Sequence, residues 1–221
     1  MFKGVYKGKK AETLKNGILI LGESHHDSKE NGNFTTDQVI NTNYRNNPKN
    51  SKYSFFHTIA KTFGVNTDNI DEEFENFWDY VYFGNYIEVL CGVGDSRAKL
   101  HLKDNNNRIQ YNDELFKFVN DKKNNIDYIF VFSRLVYYNL PEFDINEASE
   151  KETIFCEDII RGKRDWIAKS VYKSNTKHEK VNEILKRDII VFSMRHPSSR
   201  CGYNSYFYQS ELESVFKGLL K

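Results

Sequence analysis

Four short apolar runs constrain this chain more than any other feature: Ile18 to Leu21, Asn85 to Leu90, Tyr128 to Phe132 and Ile189 to Phe192. Each has the length of a strand, and Tyr128 to Phe132 is continuously apolar or aromatic. Such runs are expected where a strand is buried on both faces, as in parallel sheets under helices. Segments of helical period separate them. Phe55, Phe56, Ile59, Ala60 and Phe63 share one face of a helix over Ser54 to Phe63, with Gly64 as its stop. Asp71 to Phe83 reads as a second helix, Asn112 to Lys122 as a third and Gln209 to Leu219 as the last. Thr36 is a candidate cap for a short helix through Val39 and Ile40, and Ser133 opens a short helical piece ending at Pro141. Gly92 to Asn107 reads as a turn-rich surface connection. In Asp144 to Arg187 only a helix over Lys177 to Lys186 stands out. Strands alternating with helices predict one α/β domain over residues 1–221, a three-layer α/β/α sandwich around a short, mainly parallel four-stranded sheet.

The composition narrows the function classes. Charged residues make up 29%, yet the formal net charge is +1, so no global field draws the chain to nucleic acid or membrane. A nucleic-acid surface must then be local. Aromatic residues reach 15%, enough to serve both a core and a stacking platform. The three cysteines, Cys91, Cys156 and Cys201, form no CxxC pair, which argues against a structural zinc, an iron–sulfur cluster and a disulfide framework. Met1 to Asn16 is polar and lysine-rich, unlike a signal peptide, and no apolar run spans a bilayer. A cytoplasmic, monomeric protein is expected.

Two of the runs deliver acid–base groups. Ile18 to Leu21 leads into Gly22-Glu23-Ser24-His25-His26-Asp27, and Ile189 to Phe192 leads into Ser193-Met194-Arg195-His196-Pro197-Ser198-Ser199. In open α/β sheets ligands bind outside the carboxyl ends of the strands, so these loops mark one site. Glu23 suits a general base, a metal ligand or a helix cap. His25 and His26 are adjacent and point to opposite sides of an extended chain, so only one enters a site easily. Asn85 follows Gly84 and carries an amide able to read the edge of a base, or simply forms a turn. Phe34 is an aromatic in a polar loop. Arg161, Lys163 and Arg164 read as a solvated basic face, whereas Arg195 and Arg200 flank the His-Pro-Ser-Ser turn.

In order, these motifs resemble the uracil-DNA glycosylase superfamily. The resemblance rests on Ile18 to His26, on Tyr82-Phe83-Gly84-Asn85-Tyr86-Ile87, on the strand and short helix of Ile129 to Pro141, and on His196-Pro197-Ser198-Ser199. It implies a sheet of strand order 2-1-3-4 and hydrolysis of the N-glycosidic bond of uracil or another altered base in DNA. By the same resemblance Glu23 and His196 are catalytic. Asn85, Phe34, Ser24 and His26 hold the base, while Ser198, Ser199 and Arg200 meet the DNA backbone. No metal or other cofactor is implied, and DNA is the partner. The chain departs from the family where His25 replaces the loop proline and Ser24 stands where some branches carry Asp. Two other functions fit the residues: a metal-dependent hydrolase built on the Glu23, His25 and His26 loop, and an inactive nucleic-acid or protein-binding module on the same fold.

Overall fold

The computed structural model describes residues 4–25, 35–91, 95–140, 149–158, 163–174, 185, 187–198 and 202–221. They form an α/β fold on one mixed sheet. Its strands are β1 (Tyr6–Lys7), β2 (Gly17–His25), β3 (Tyr82–Leu90), β4 (Ile126–Val131), β5 (Ser149–Asp158), β6 (Lys163–Tyr172) and β7 (Ile189–Ser193). The order is β1-β3-β2-β4-β7-β6-β5. The pairs β3–β2, β2–β4 and β4–β7 are parallel, and the other three are antiparallel. Seven strands therefore replace the expected four, with parallel pairs confined to the centre.

Pleating sends alternate residues of the central strands into two cores. Leu19 and Leu21 of β2, Ile129 and Val131 of β4 and Val191 of β7 fill the first; Ile18, Ile20 and Phe130 fill the second. All are shielded from solvent, which is why the sequence shows solid apolar runs at these strands. Helices cover both faces. The second core is closed by α1 (Thr36–Gln38) and the π-helical turn Val39–Tyr44 that continues it, α2 (Ser54–Thr62) and α3 (Ile70–Asn76). Against the first lie α4 (Asp95–Lys103), α5 (Asn105–Asn120) and α6 (Arg134–Tyr137); the last helix, α7 (Ser205–Leu219), returns to the second. Gly64 follows α2 at φ 77°, as the expected stop requires.

Several boundaries move. Gly92 to Asn107 is not a loop throughout: α4 begins at Asp95, and α5 at Asn105 under an Asp104 cap that accepts the Asn106 N–H. The helix expected over Asp71 to Phe83 stops at Asn76, because Tyr82 and Phe83 pair with β1 and β2 instead. Thr35 rather than Thr36 caps α1, its hydroxyl accepting from the Gln38 N–H. Within Asp144 to Arg187 lies the β5–β6 hairpin, with Ser149 opposite Tyr172 and Asp158 opposite Lys163. The helix expected over Lys177 to Lys186 lies almost wholly outside the described residues. Among those described, no helix is long and apolar enough to cross a membrane.

Candidate functional site at the carboxyl edge of the parallel strands

Register brings three strand ends to one level: Leu21 lies opposite Val131, and Val131 opposite Ser193. The ladder continues one bond further, through Phe132 N–H to Leu21 O and Met194 N–H to Val131 O, both at 2.9 Å. Glu23, Ser133 and His196 stand just past it. β2 itself runs on to His25 because β3 still pairs with it, so Glu23 and Ser24 belong to the strand and not to a loop after Leu21.

Glu23 follows the pleat of Leu21 onto the first core's face. There Ser133 Oγ donates to Glu23 Oε2 at 2.6 Å. The same oxygen accepts the Val136 N–H at 3.2 Å, capping α6, so the serine proton is committed to the carboxylate. Ser133 is 1% exposed, which makes its two bonds obligatory. Beside them the buried Cys91 thiol is pushed up by burial; the Glu23 charge adds to the shift, and a hydrogen bond with Ser24 opposes it. Ser24 thus turns to Cys91.

Asn85 lies on the opposite face. It is the register partner of Gly22, and a Cβ on Gly22 would sit 2.4 Å from Asn85 Oδ1 and 3.2 Å from Phe83 Cζ. The amide therefore rests across the glycine, in space that any other residue would fill. It makes no hydrogen bond among the described residues. Phe83 meets Phe55 of α2 edge-on at 6.2 Å, and Phe55 stacks on the His196 imidazole at 4.9 Å and 25°. A run of rings thus connects the Asn85 amide to His196.

The turn after His196 fixes its ring chemically. Ser198 N–H donates to Nδ1 at 3.2 Å, and Ser198 Oγ lies 2.7 Å from the same nitrogen. A nitrogen that accepts a backbone N–H carries no proton, so the ring proton sits on Nε2. Ser198, the residue expected at the DNA backbone, faces the histidine with both its N–H and its Oγ. Arg195 is also turned inward: its Nε lies 3.7 Å from Asp165 Oδ1, and Tyr208 OH donates to that carboxylate while receiving the Arg195 N–H. Phe34, His26, Ser199 and Arg200, and the side chain of His25, lie outside the described residues. Among the described residues no group of three or more His, Cys, Asp or Glu is placed to hold a metal ion.

Sequence reasoning missed Phe55, Phe83 and Ser133 as parts of this edge. Ser133 left a signal, a hydroxyl directly after an apolar strand; the two phenylalanines left none that separates them from core. It also missed a buried polar cluster behind the second core. Glu73, 0% exposed, accepts from Tyr44 OH, from Trp78 Nε1 at 2.7 Å and from His57 Nδ1 at 2.8 Å. His57 Nε2 donates to Pro48 O at 2.9 Å. With both nitrogens donating, His57 is an imidazolium, and its pKa is raised above the ordinary value, chiefly by the bond to Glu73.

Comparison of the chain with protein-family models, with curated proteins and with solved structures gives no match.

Proposed function

We propose that the carboxyl edge of β2, β3, β4 and β7 is the base-excision site of a DNA N-glycosylase acting on uracil or another altered base. Support comes first from the central strands, whose spatial order β3-β2-β4-β7 is second, first, third, fourth along the chain. That is the order the resemblance to uracil-DNA glycosylases implies. The observation that carries the reading is the bond from Ser198 N–H to His196 Nδ1 in the turn after β7, which leaves Nε2 as the ring's donor. A neutral N–H donor stabilises negative charge growing on a departing base without having to surrender a proton first.

A base taken out of the DNA stack would meet the Asn85 amide along its edge and the His196 N–H at its developing anion. The water oxygen bonds to the sugar C1′ as the C1′–N bond breaks, and the electron pair leaves with the base. Glu23 Oε1, which makes no hydrogen bond among the described residues, receives the water proton, while Ser133 holds Oε2. Phe34, Ser24, His26, Ser199 and Arg200 complete the base and backbone contacts in this proposal. No cofactor enters the step, and DNA is the partner.

The test is base release, in chelator, from oligonucleotides carrying uracil, hypoxanthine, xanthine or oxidised pyrimidines, read by alkaline strand cleavage. His196→Ala is expected to lower the rate about 10²- to 10³-fold, the usual cost of removing one charge-stabilising donor. No cleavage above the His196→Ala background on any substrate overturns the reading. Activity that appears only with an added divalent metal assigns the Glu23 loop to a hydrolase instead.

A further inference from the structure

We infer that Arg134 and Tyr138 form a second contact for the same polynucleotide, a platform on which an unstacked base lies against Tyr138 while Arg134 meets the adjoining phosphate. The inference rests on the base-excision reading for its choice of ligand. Arg134 is the residue after Ser133, so the bond from Ser133 to Glu23 fixes it beside the proposed site. Its guanidinium lies 5.3 Å from the Tyr138 ring centroid and 5.9 Å from that of Trp166. Trp166 is buried, and Tyr138 is 57% exposed. One aromatic plane is therefore used up by packing, and the other is offered to solvent at the end of α6, the helix that Ser133 caps.

The charge points to the same ligand. No described carboxylate forms an ion pair with Arg134, which is itself exposed. A flat cation held between two rings loses little side-chain freedom when it binds a phosphate, and a guanidinium presents a fork of donors to its oxygens. Stacking on an aromatic face tolerates any base, as the strand beside a flipped nucleotide requires. Local placement of this cation also fits a chain whose net charge is only +1.

The experiment measures binding of the full chain to a labelled single-stranded oligonucleotide bearing uracil, by fluorescence anisotropy across a salt series. Thermal melts check that each variant is folded. Tyr138→Ala should weaken binding about 5- to 150-fold, the range for one stacked base, while Tyr138→Phe keeps the ring and the affinity. Arg134→Ala should flatten the slope of log K against log salt by about 0.7, the value for one phosphate on a single strand. Arg134→Lys should keep the slope but not the full affinity. Unchanged affinity in Tyr138→Ala, or an unchanged salt slope in Arg134→Ala, overturns the platform even if the wild type excises bases. Loss of affinity in both alanine variants, in a protein that releases no base, keeps the platform and removes the glycosylase. Wild-type protein that binds no oligonucleotide overturns both.

Discussion

Glu73 and Glu23 are both carboxylates held by hydroxyl groups, and they differ in how completely they are held. Glu73 is sealed behind the second core, with Tyr44, Trp78 and His57 all donating to it. Glu23 sits half-buried at the strand ends with one oxygen bound by Ser133. A saturated acid has no capacity left for substrate, while a half-saturated one is oriented and still able to accept a proton. The difference teaches how this chain divides polar chemistry between scaffold and site. The two are also linked: His57, bound to Glu73, lies on the helix whose Phe55 supports the His196 ring.

The largest expected effect breaks the comparison on the scaffold side. Glu73→Ala leaves a partly exposed imidazolium and two buried donors, Tyr44 and Trp78, without their acceptor, at a cost of about 3–5 kcal/mol. For a chain of this length that lowers Tm by about 6–20 °C. Glu23→Gln should cost no more than about 0.5–1.5 kcal/mol in urea denaturation, yet lower base release by about 10²-fold or more. Equal destabilisation by the two variants would erase the distinction.

A smaller effect sharpens it. Ser133→Ala removes the α6 cap, worth about 0.5–2 kcal/mol, and frees Glu23 Oε2. Base release should fall through kcat with KM little changed, and Ser133→Thr, which keeps the hydroxyl, should restore it. A rate loss that Thr does not rescue would make Ser133 a cap and nothing more.

The smallest effect is a pH dependence. The folded chain holds the His57 proton more tightly than the unfolded chain, whose histidine keeps the ordinary value of 6.5. That stabilisation is complete below the ordinary value and is lost as pH rises through the raised folded value. Urea midpoints measured from about pH 5 to about pH 9 should therefore fall on the alkaline side, and His57→Gln should flatten the fall. A midpoint that rises with pH over this range contradicts the imidazolium.

The legible parts of this fold are those written in local pattern. β2, β4 and β7 are covered on both faces, so their apolar runs stand out whatever their neighbours are. β5 and β6 do not: the stretch holding Ile154-Phe155 and Trp166-Ile167 is broken by charges, and its pairing is set by β7, Ala168 opposite Ser193. Among the described side chains of α4 only Ala98 and Leu102 are buried while Leu100 faces solvent, and Asn105 to Asn107 hide the start of α5. At the site, Glu23 and His196 stood out because each comes shortly after a buried apolar run, Ile18 to Leu21 and Ile189 to Phe192. The bond from Ser133 to Glu23 spans 110 residues and the stacking of Phe55 on His196 spans helix and strand, and such distances are set only by tertiary packing.

Gly22 carries a consequence of its own. The strands could in principle slide past each other, and a slip of one residue would turn Glu23 toward the face that Asn85 occupies. Because the amide lies where a Cβ at position 22 would stand, the pair favours the observed alignment of β2 on β3. Positions 22 and 85 are thereby coupled: a side chain gained at 22 displaces the amide at 85 and presses on the Phe83 ring as well.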